Sequence, residues 1–169
     1  MKNEAIQTRN MMDFGTAIKT CFRKYADFSG RATRAEYWWF VLFVVLVSLG
    51  LGVIDCSVLG SGCDIDTFGY GALSWLWILA ILLPDLAVGA RRLHDIGRSG
   101  WWLLLWAPSY FWMLLDLLAE PSDREILDIL AAIGLLFAIP IIVMACFRTW
   151  PETNRYGDPA QPKQGNSEG

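Results

Sequence analysis

The sequence YWWFVLFVVLVSLGLGVI, residues 37–54, runs for eighteen positions without a charged side chain. Three more stretches of seventeen to nineteen uncharged residues follow it, at 67–84, 99–115 and 129–147. About 20 apolar residues in a helix cross the hydrocarbon core of a bilayer. Four such stretches in a soluble core would leave too few polar faces to cover it, so the pattern predicts an all-α, polytopic membrane protein. We place its four transmembrane helices at about 37–54, 72–90, 101–118 and 129–147.

The composition agrees with this class, because 54% of the 169 residues are hydrophobic, nine are Trp and only 18% are charged. The first apolar stretch starts at Tyr37, behind a charged leader, and is long enough to span a bilayer. It lacks the short apolar region and the small-residue cleavage site of a signal peptide. We therefore expect the first helix to stay in place as an anchor.

The basic residues predict the orientation. Of the fourteen Lys and Arg residues, thirteen fall within 1–36, 91–100 and 148–169, and Arg124 alone lies elsewhere. Short loops rich in Lys and Arg stay in the cytoplasm. Both termini and the second loop are therefore predicted to be cytoplasmic (N-in/C-in). Acidic residues gather in the two outer loops, so the net charge of −3 hides two faces of opposite sign.

The chain divides into a cytoplasmic leader, 1–36, a four-helix transmembrane domain, 37–147, and a mostly irregular cytoplasmic tail, 148–169. In the leader, apolar residues recur at steps of three and four, which predicts an amphipathic helix at about 11–26. This helix can lie on the inner leaflet with its cations near anionic headgroups. It can equally pack on the cytoplasmic ends of the bundle, because amphipathicity fits both arrangements.

Local signals refine these helices. The segment from Thr33 to Glu36 has the pattern of a capping box at the start of the first span. Gly134 and Ala138 are small residues four apart, so their helix face can admit a close neighbour. Three of the predicted helices contain a proline, at Pro84, Pro108 and Pro140. Each proline removes a backbone hydrogen bond, and we expect it to kink its helix.

The densest polar cluster is RRLHDIGRSG, residues 91–100, in the predicted second loop. Gly97 suits a helix C-terminus. The cations before it, Arg91, Arg92 and His94, favour the negative end of the helix dipole, which is a structural role. In the alternative interpretation the arginines bind headgroups or another anionic ligand, and His94 accepts a proton. Because His94 is the single histidine, we predict no metal site and no cofactor.

Asp85 follows Pro84 within the second predicted helix, where a carboxylate is costly and by default suggests a function. In the structural alternative it forms an ion pair with Arg92, seven residues on and on the same helix face, or with an arginine from 31–36. We favour the ion pair, because the cost of a charge is smaller near the interface. The functional alternative makes Asp85 part of an ion or proton path.

The cysteines fall into two pairs by their predicted location. Cys56 and Cys63 flank a turn rich in Gly and Ser in the first outer loop, where an oxidising periplasm would allow a disulfide. Cys21 and Cys146 belong to the cytoplasmic half and are expected to stay reduced. The sequence has no hydrolase elbow, phosphate-binding glycine loop or zinc-protease motif, and we assign no catalytic residue.

Three stretches border the predicted spans: YADFSGRATRAEYW at 25–38, RRLHDIGRSGWW at 91–102 and NRYGDP at 154–159. Together they resemble the domain-of-unknown-function 805 family of small bacterial inner-membrane proteins. The resemblance implies a bacterial cytoplasmic membrane and a four-helix core. It implies no activity, because the family has no established biochemical role. Asp85 departs from the pattern, since family members more often have a small polar residue after that proline.

The resemblance also suggests one cytoplasmic cluster in which Glu36 and Asp95 pair with arginines. Its predicted members are Arg31, Arg34, Glu36, Arg91, Arg92, His94 and Asp95.

Our first hypothesis for the function is a non-enzymatic module whose cytoplasmic basic-aromatic face binds lipid headgroups or a partner protein. The alternative is a small transporter or channel subunit that uses Asp85. An enzyme that acts on a lipid ranks third, because no nucleophile with its base can be named. The expected partners are membrane lipids and a second copy or another membrane protein, and not nucleic acid.

Overall fold

The computed structural model of the chain describes residues 12–59, 71–118 and 124–160. Within these ranges the chain is helical and has no β-strand, which confirms the predicted all-α class. The helices are α1 (Phe14–Arg23), α2 (Arg34–Leu59), α3 (Ala72–Asp95), a 3₁₀ helix (Gly100–Trp106), α4 (Ala107–Leu118) and α5 (Arg124–Cys146). Cys63, the predicted start of the amphipathic helix at Met11 and the tail beyond 160 lie outside the described residues.

Among the described residues, three helices are long and apolar enough to cross a membrane. They cover Arg34–Val58, Ala72–Asp95 and Ile129–Cys146, which correspond to the first, second and fourth predicted spans. α2 begins directly after Thr33, at the position that the predicted capping box gives for a helix start. A fourth crossing, by the third predicted span at 101–118, and the N-in/C-in orientation stay predictions.

The remaining predicted span, 101–118, is divided between the 3₁₀ helix and α4. Pro108 accounts for the position of the junction. It is the second residue of α4, and a proline in the first turn of a helix leaves no intrahelical hydrogen bond unmade. The N–H of Ala107 donates to the carbonyl of Leu104, three residues back, which ends the 3₁₀ helix. Pro108 therefore lies at a helix start, whereas the other two prolines lie inside α3 and α5.

The chain divides into two compact units. Unit 1 comprises 1–28 and 35–88, and unit 2 comprises 29–34 and 89–169. Unit 1 thus contains α1, nearly all of α2 and the larger part of α3. Unit 2 contains the last residues of α3, the 3₁₀ helix, α4 and α5.

In unit 1, α1 lies against α2 through edge-to-face aromatic contacts. The ring centroids of Phe14 and Trp39 are 5.8 Å apart, and those of Phe22 and Phe40 are 5.9 Å apart. Such pairs contribute beyond the apolar area that they bury. The amphipathic helix thus packs on a neighbouring helix, as one of its two alternative interpretations requires.

Two aspartates of unit 1 bind the N-terminal backbone of a helix. The carboxylate of Asp13 accepts a hydrogen bond from the N–H of Thr16 at 3.2 Å, and hydrogen bonds from the side chain and backbone of Thr16 lower the pKa of Asp13. Asp55, near the end of α2, accepts from the N–H groups of Leu73 at 3.2 Å and Ser74 at 2.9 Å. The hydroxyl of Ser74 also donates to Asp55, at 2.6 Å. Asp55 is only 1% exposed, so it is a buried cap of α3, a role that the sequence analysis does not predict.

In unit 2, the apolar core lies at the end of α3 and in the second half of α5, where Leu93, Ile141 and Met144 are buried together. α4 and α5 approach closely at Gly134. A Cβ atom on Gly134 would lie 2.8 Å from the hydroxyl oxygen and 3.0 Å from the Cα of Ser109. The close neighbour expected at this small residue is therefore α4.

Candidate functional site

The side chain of Arg31 is the centre of the most polar region in unit 2. Arginine has five N–H groups to donate, and five hydrogen bonds are formed. Nε donates to Asp95 Oδ1 at 2.9 Å, and Nη2 donates to the carbonyls of Asp95 at 3.1 Å and Trp150 at 2.5 Å. Nη1 donates to the carbonyls of Glu152 at 2.8 Å and Gly157 at 3.3 Å. Every donor of this buried guanidinium is thus used within the protein.

Arg92 binds the last turn of α5 in a similar way. Its Nε donates to the carbonyl of Ala145 at 3.0 Å, and its Nη2 donates to the carbonyl of Phe147. The last carbonyls of a helix have no partner within that helix, so Arg92 supplies donors where α5 needs them. Its Nη1 donates to Asp95 Oδ2 and to the carbonyl of Ala32, the latter at 3.5 Å.

Asp95, the last residue of α3, joins the two arginines. One carboxylate oxygen accepts from Arg31 and the other from Arg92, and the Asp95 side chain is fully buried. This is the pairing that the sequence analysis expects for this carboxylate. A buried charge is tolerated when it is paired and hydrogen-bonded, and all three side chains meet this condition. We call Arg31, Asp95 and Arg92 the triad.

The chain after α5 folds over the triad as a tight turn. The N–H of Asn154 donates to the carbonyl of Gly157 at 3.1 Å, and the N–H of Gly157 donates back at 2.9 Å. Gly157 has a φ of 116°, a backbone conformation that side chains disfavour. The side chain of Asn154 accepts from the N–H of Tyr156 at 2.9 Å and donates to the carbonyl of His94 at 2.9 Å.

The ring of His94 lies flat on the ring of Tyr156. The centroids are 3.7 Å apart and the planes differ by 7°. At the edge of the imidazole ring, Nδ1 of His94 is 3.3 Å from the carbonyl oxygen of Gly30. A carbonyl can only accept, so this contact assigns the proton to Nδ1 in the neutral ring. His94 is therefore positioned by two neighbours, and the guanidinium of Arg155 lies 4.7 Å above the other ring partner, Tyr156.

The predicted cluster divides by burial. Arg91 is completely buried, and its carbonyl accepts from the N–H of Ala32 at 3.0 Å. Arg34 is exposed at the start of α2. Glu36 is buried within unit 1, where the thiol of Cys21 is 4.0 Å from its carboxylate. Burial of the arginines favours the structural interpretation of this cluster over direct headgroup contact.

The remaining predicted site residues are Asp85 and the cysteines. Asp85 is half-buried in α3, and its predicted pairing with Arg92 stays a prediction. Cys56 is disulfide-bonded, but Cys63 lies outside the described residues, so the pairing of these two stays a prediction. Cys21 and Cys146 form no disulfide bond. In the part of the chain that the structure describes, no three His, Cys, Asp or Glu side chains come together as metal ligands would.

Two side-chain contacts of unit 2 and one of unit 1 are not predicted from the sequence. The carbonyls that accept from Arg31 cannot be predicted from the sequence, because every residue has one. The turn that docks on Arg31 does lie partly in the stretch 154–159, which supports the family resemblance. The stacking of His94 on Tyr156 likewise joins two of the quoted stretches. For Asp55 a signal existed, because an acidic residue near a helix C-terminus opposes the helix dipole and calls for a compensating partner.

Fold and site together define a helical, multi-pass membrane protein with a buried arginine–carboxylate cluster. The family described as a protein of unknown function (DUF805) matches residues 25–158, and the chain belongs to this family. The resemblance stated from the sequence is thereby confirmed.

Three relatives from Escherichia coli (strain K12) are similar to parts of the chain. Inner membrane protein YhaI is 43% identical over 94 residues, which cover 55% of this chain and 73% of that protein. Inner membrane protein YhaH is 38% identical over 94 residues, covering 55% and 74%. The uncharacterized protein YiiR is 36% identical over 95 residues, covering 53% of each chain. No solved structure matches significantly. The protein is a multi-pass protein of the bacterial inner membrane.

Proposed function

We propose that the protein is a non-enzymatic, four-span module of the inner membrane, with both termini in the cytoplasm, that contacts anionic lipid headgroups. The contact is made by a basic-aromatic surface on unit 2, which consists of Arg98, Trp101, Trp102, Arg148 and Trp150. The buried triad does not bind the lipid and instead maintains the fold beneath this surface.

The observation that carries the proposal is the division of the arginines between buried and exposed positions. Arg31, Arg91 and Arg92 are at most 7% exposed. Arg98 and Arg148 are exposed, so their guanidinium groups are available to phosphate oxygens, which this side chain binds with two parallel N–H groups.

One hydrogen bond and short separations along the chain link the members of this surface within unit 2. Arg98 follows Asp95 by three residues, and the N–H of Trp150 donates to the carbonyl of Asp95 at 3.2 Å. Arg148 precedes Trp150 by two residues. Trp101 is 77% exposed at the start of the 3₁₀ helix. Tryptophan is enriched where a membrane meets water. An exposed Trp close to exposed arginines suits this interface.

The length of the third predicted span supports four crossings. Seven residues of 3₁₀ helix rise about 2.0 Å each and twelve residues of α-helix about 1.5 Å each, or roughly 32 Å together. The hydrocarbon core is about 30 Å thick. A reporter fused after Gly169 is expected to be cytoplasmic, and one inserted near Gly62 periplasmic. The reverse result at either site would contradict the proposed orientation.

Lipid retention tests the proposed function. The protein is reconstituted in vesicles of phosphatidylcholine and phosphatidylglycerol, extracted gently and examined by native mass spectrometry for retained lipid. A basic residue near an anionic surface contributes about 1 kcal/mol, or about fivefold in affinity. Arg98→Gln and Arg148→Gln should each reduce retained phosphatidylglycerol by about that factor, more weakly in high salt.

Arg124→Gln is the matched control, because Arg124 is the one basic residue assigned to the outer side by the sequence. It should retain phosphatidylglycerol like the unmodified protein. Equal retention by all three variants, or equal retention of both lipids by the unmodified protein, would contradict the proposal.

A further inference from the structure

The segment 150–157 is joined to the rest of unit 2 by several hydrogen bonds and one ring stack. Three of its carbonyls, those of Trp150, Glu152 and Gly157, accept from Arg31 at 2.5 to 3.3 Å. The backbone N–H of Trp150 donates to the carbonyl of Asp95 at 3.2 Å. The remaining docking contacts fall on His94, which receives the amide of Asn154 and the ring of Tyr156.

This segment buries little apolar surface. Trp150 is 53% exposed, and Glu152, Thr153 and Arg155 are exposed as well. Regions with few buried apolar contacts open locally at a lower free energy than the core does. The segment also has its own internal hydrogen bonds, between Asn154 and Gly157 in both directions, so it can leave its docking site without losing its turn.

The triad does not depend on this segment. Asp95 binds Nε of Arg31 and Nη1 of Arg92 through its own carboxylate. Arg92 takes its remaining acceptors from Ala32, Ala145 and Phe147, all of which lie outside 150–157. Opening would transfer three N–H···O bonds of Arg31 to water and leave the carboxylate pairing in place.

We propose that residues 150–157 form a strap that opens and closes over the triad as one unit, while α5 and the triad stay folded. Arg31 holds the closed strap through its Nη1 and Nη2 groups, and the stack of Tyr156 on His94 fixes its position. Opening exposes one edge of the Arg31 guanidinium to the solvent. The strap shares one residue, Trp150, with the lipid-contacting surface proposed above, and its opening is a separate conformational property.

Hydrogen exchange on the full chain in lipid nanodiscs tests the strap. In the unmodified protein the amide of Trp150, which reports docking, should exchange faster than the amides of Ile141–Ala145 in α5. Tyr156→Ala removes the stack, and Arg31→Lys keeps the charge but loses the planar fork of donors. Arg31→Lys should accelerate exchange at Trp150 about tenfold or more, because a hydrogen bond to a charged group contributes at least that factor. Tyr156→Ala should accelerate it about two- to tenfold, which is the contribution of a ring pair. Exchange in α5 should not change.

Thr153→Ala is the control, because the Thr153 hydroxyl is exposed and donates to Asp158 at 2.8 Å, away from the docking contacts. It should leave exchange at Trp150 unchanged. If Arg31→Lys does not fold, Tyr156→Ala alone decides. Acceleration of α5 together with Trp150 in Tyr156→Ala would show that the segment is part of the cooperative core, and unchanged exchange at Trp150 would show that the stack does not hold it; both results overturn the strap.

Discussion

Units 1 and 2 are both built from apolar helices, but different interactions hold their helices together. In unit 1, aromatic rings join the helices, as between Phe43 of α2 and Trp77 of α3 at 5.8 Å, and Asp55 caps α3. In unit 2, a buried triad and main-chain carbonyls join the ends of α3 and α5. Losing one ring or cap leaves neighbours that can adjust, whereas losing one member of a buried ionic group leaves an uncompensated charge. The two units should therefore respond very differently to single substitutions.

The largest effect is expected at Asp95. Asp95→Asn removes the carboxylate shared by Arg31 and Arg92 and leaves two buried guanidinium groups with no counter-charge between them. Breaking a buried pair costs about 3–5 kcal/mol, so the melting temperature in detergent should fall strongly. Asp158→Asn is the control, since Asp158 is exposed. Equal melting temperatures of these two variants would contradict the claim that charge pairing in the triad stabilises unit 2.

A second effect distinguishes the close helix contact of unit 2 from an open position in unit 1. Gly134→Ala places a Cβ atom within 3.0 Å of the Ser109 backbone, and overpacking of this kind costs about 1–3 kcal/mol. At Gly52, in α2, an added Cβ meets nothing within 4 Å. Gly52→Ala should be neutral or stabilise by up to about 1 kcal/mol, through helix propensity. Thermal unfolding of both variants in the same detergent gives the direction of each change in stability. Equal destabilisation of the two variants would contradict the predicted close contact.

The smallest effect is expected from the caps of unit 1. Asp55→Ala removes the acceptor for two backbone N–H groups at the start of α3, which should lower the melting temperature by less than Asp95→Asn does. Asp55→Asn keeps one oxygen acceptor and should lose part of this amount, because Asn also caps helices well. A loss at Asp55 equal to that at Asp95 would show that capping and charge pairing are equally important.

The sequence was sufficient for the features that repeat along the chain. Uncharged stretches predict the long helices α2, α3 and α5, and steps of three and four predict α1. The distribution of Lys and Arg along the chain predicts an orientation, and the resemblance of three short stretches predicts the family. Each of these signals is local, because it depends on neighbours within a turn of helix or within one span.

The features that the sequence did not predict depend on contacts between distant residues. Asp55 binds Ser74 nineteen residues away, and Arg31 binds backbone carbonyls more than a hundred residues away. Every residue has a backbone carbonyl, so no sequence motif indicates which carbonyl will accept a hydrogen bond. The division of 101–118 into a 3₁₀ helix and α4 was missed for another reason, because both helix types favour the same apolar composition and only the position of Pro108 separates them.

The measurement that tests the account most directly is a double-mutant cycle between Arg31 and Asp95, sixty-four residues apart. Arg31→Gln, Asp95→Asn and the double variant are compared by equilibrium unfolding in mixed micelles. Because the first variant leaves a buried carboxylate and the second leaves a buried guanidinium, the double variant should be less destabilised than the sum of the two by about 1–3 kcal/mol. Losses that add to within about 0.5 kcal/mol would contradict the claim that a buried ionic triad holds unit 2 together.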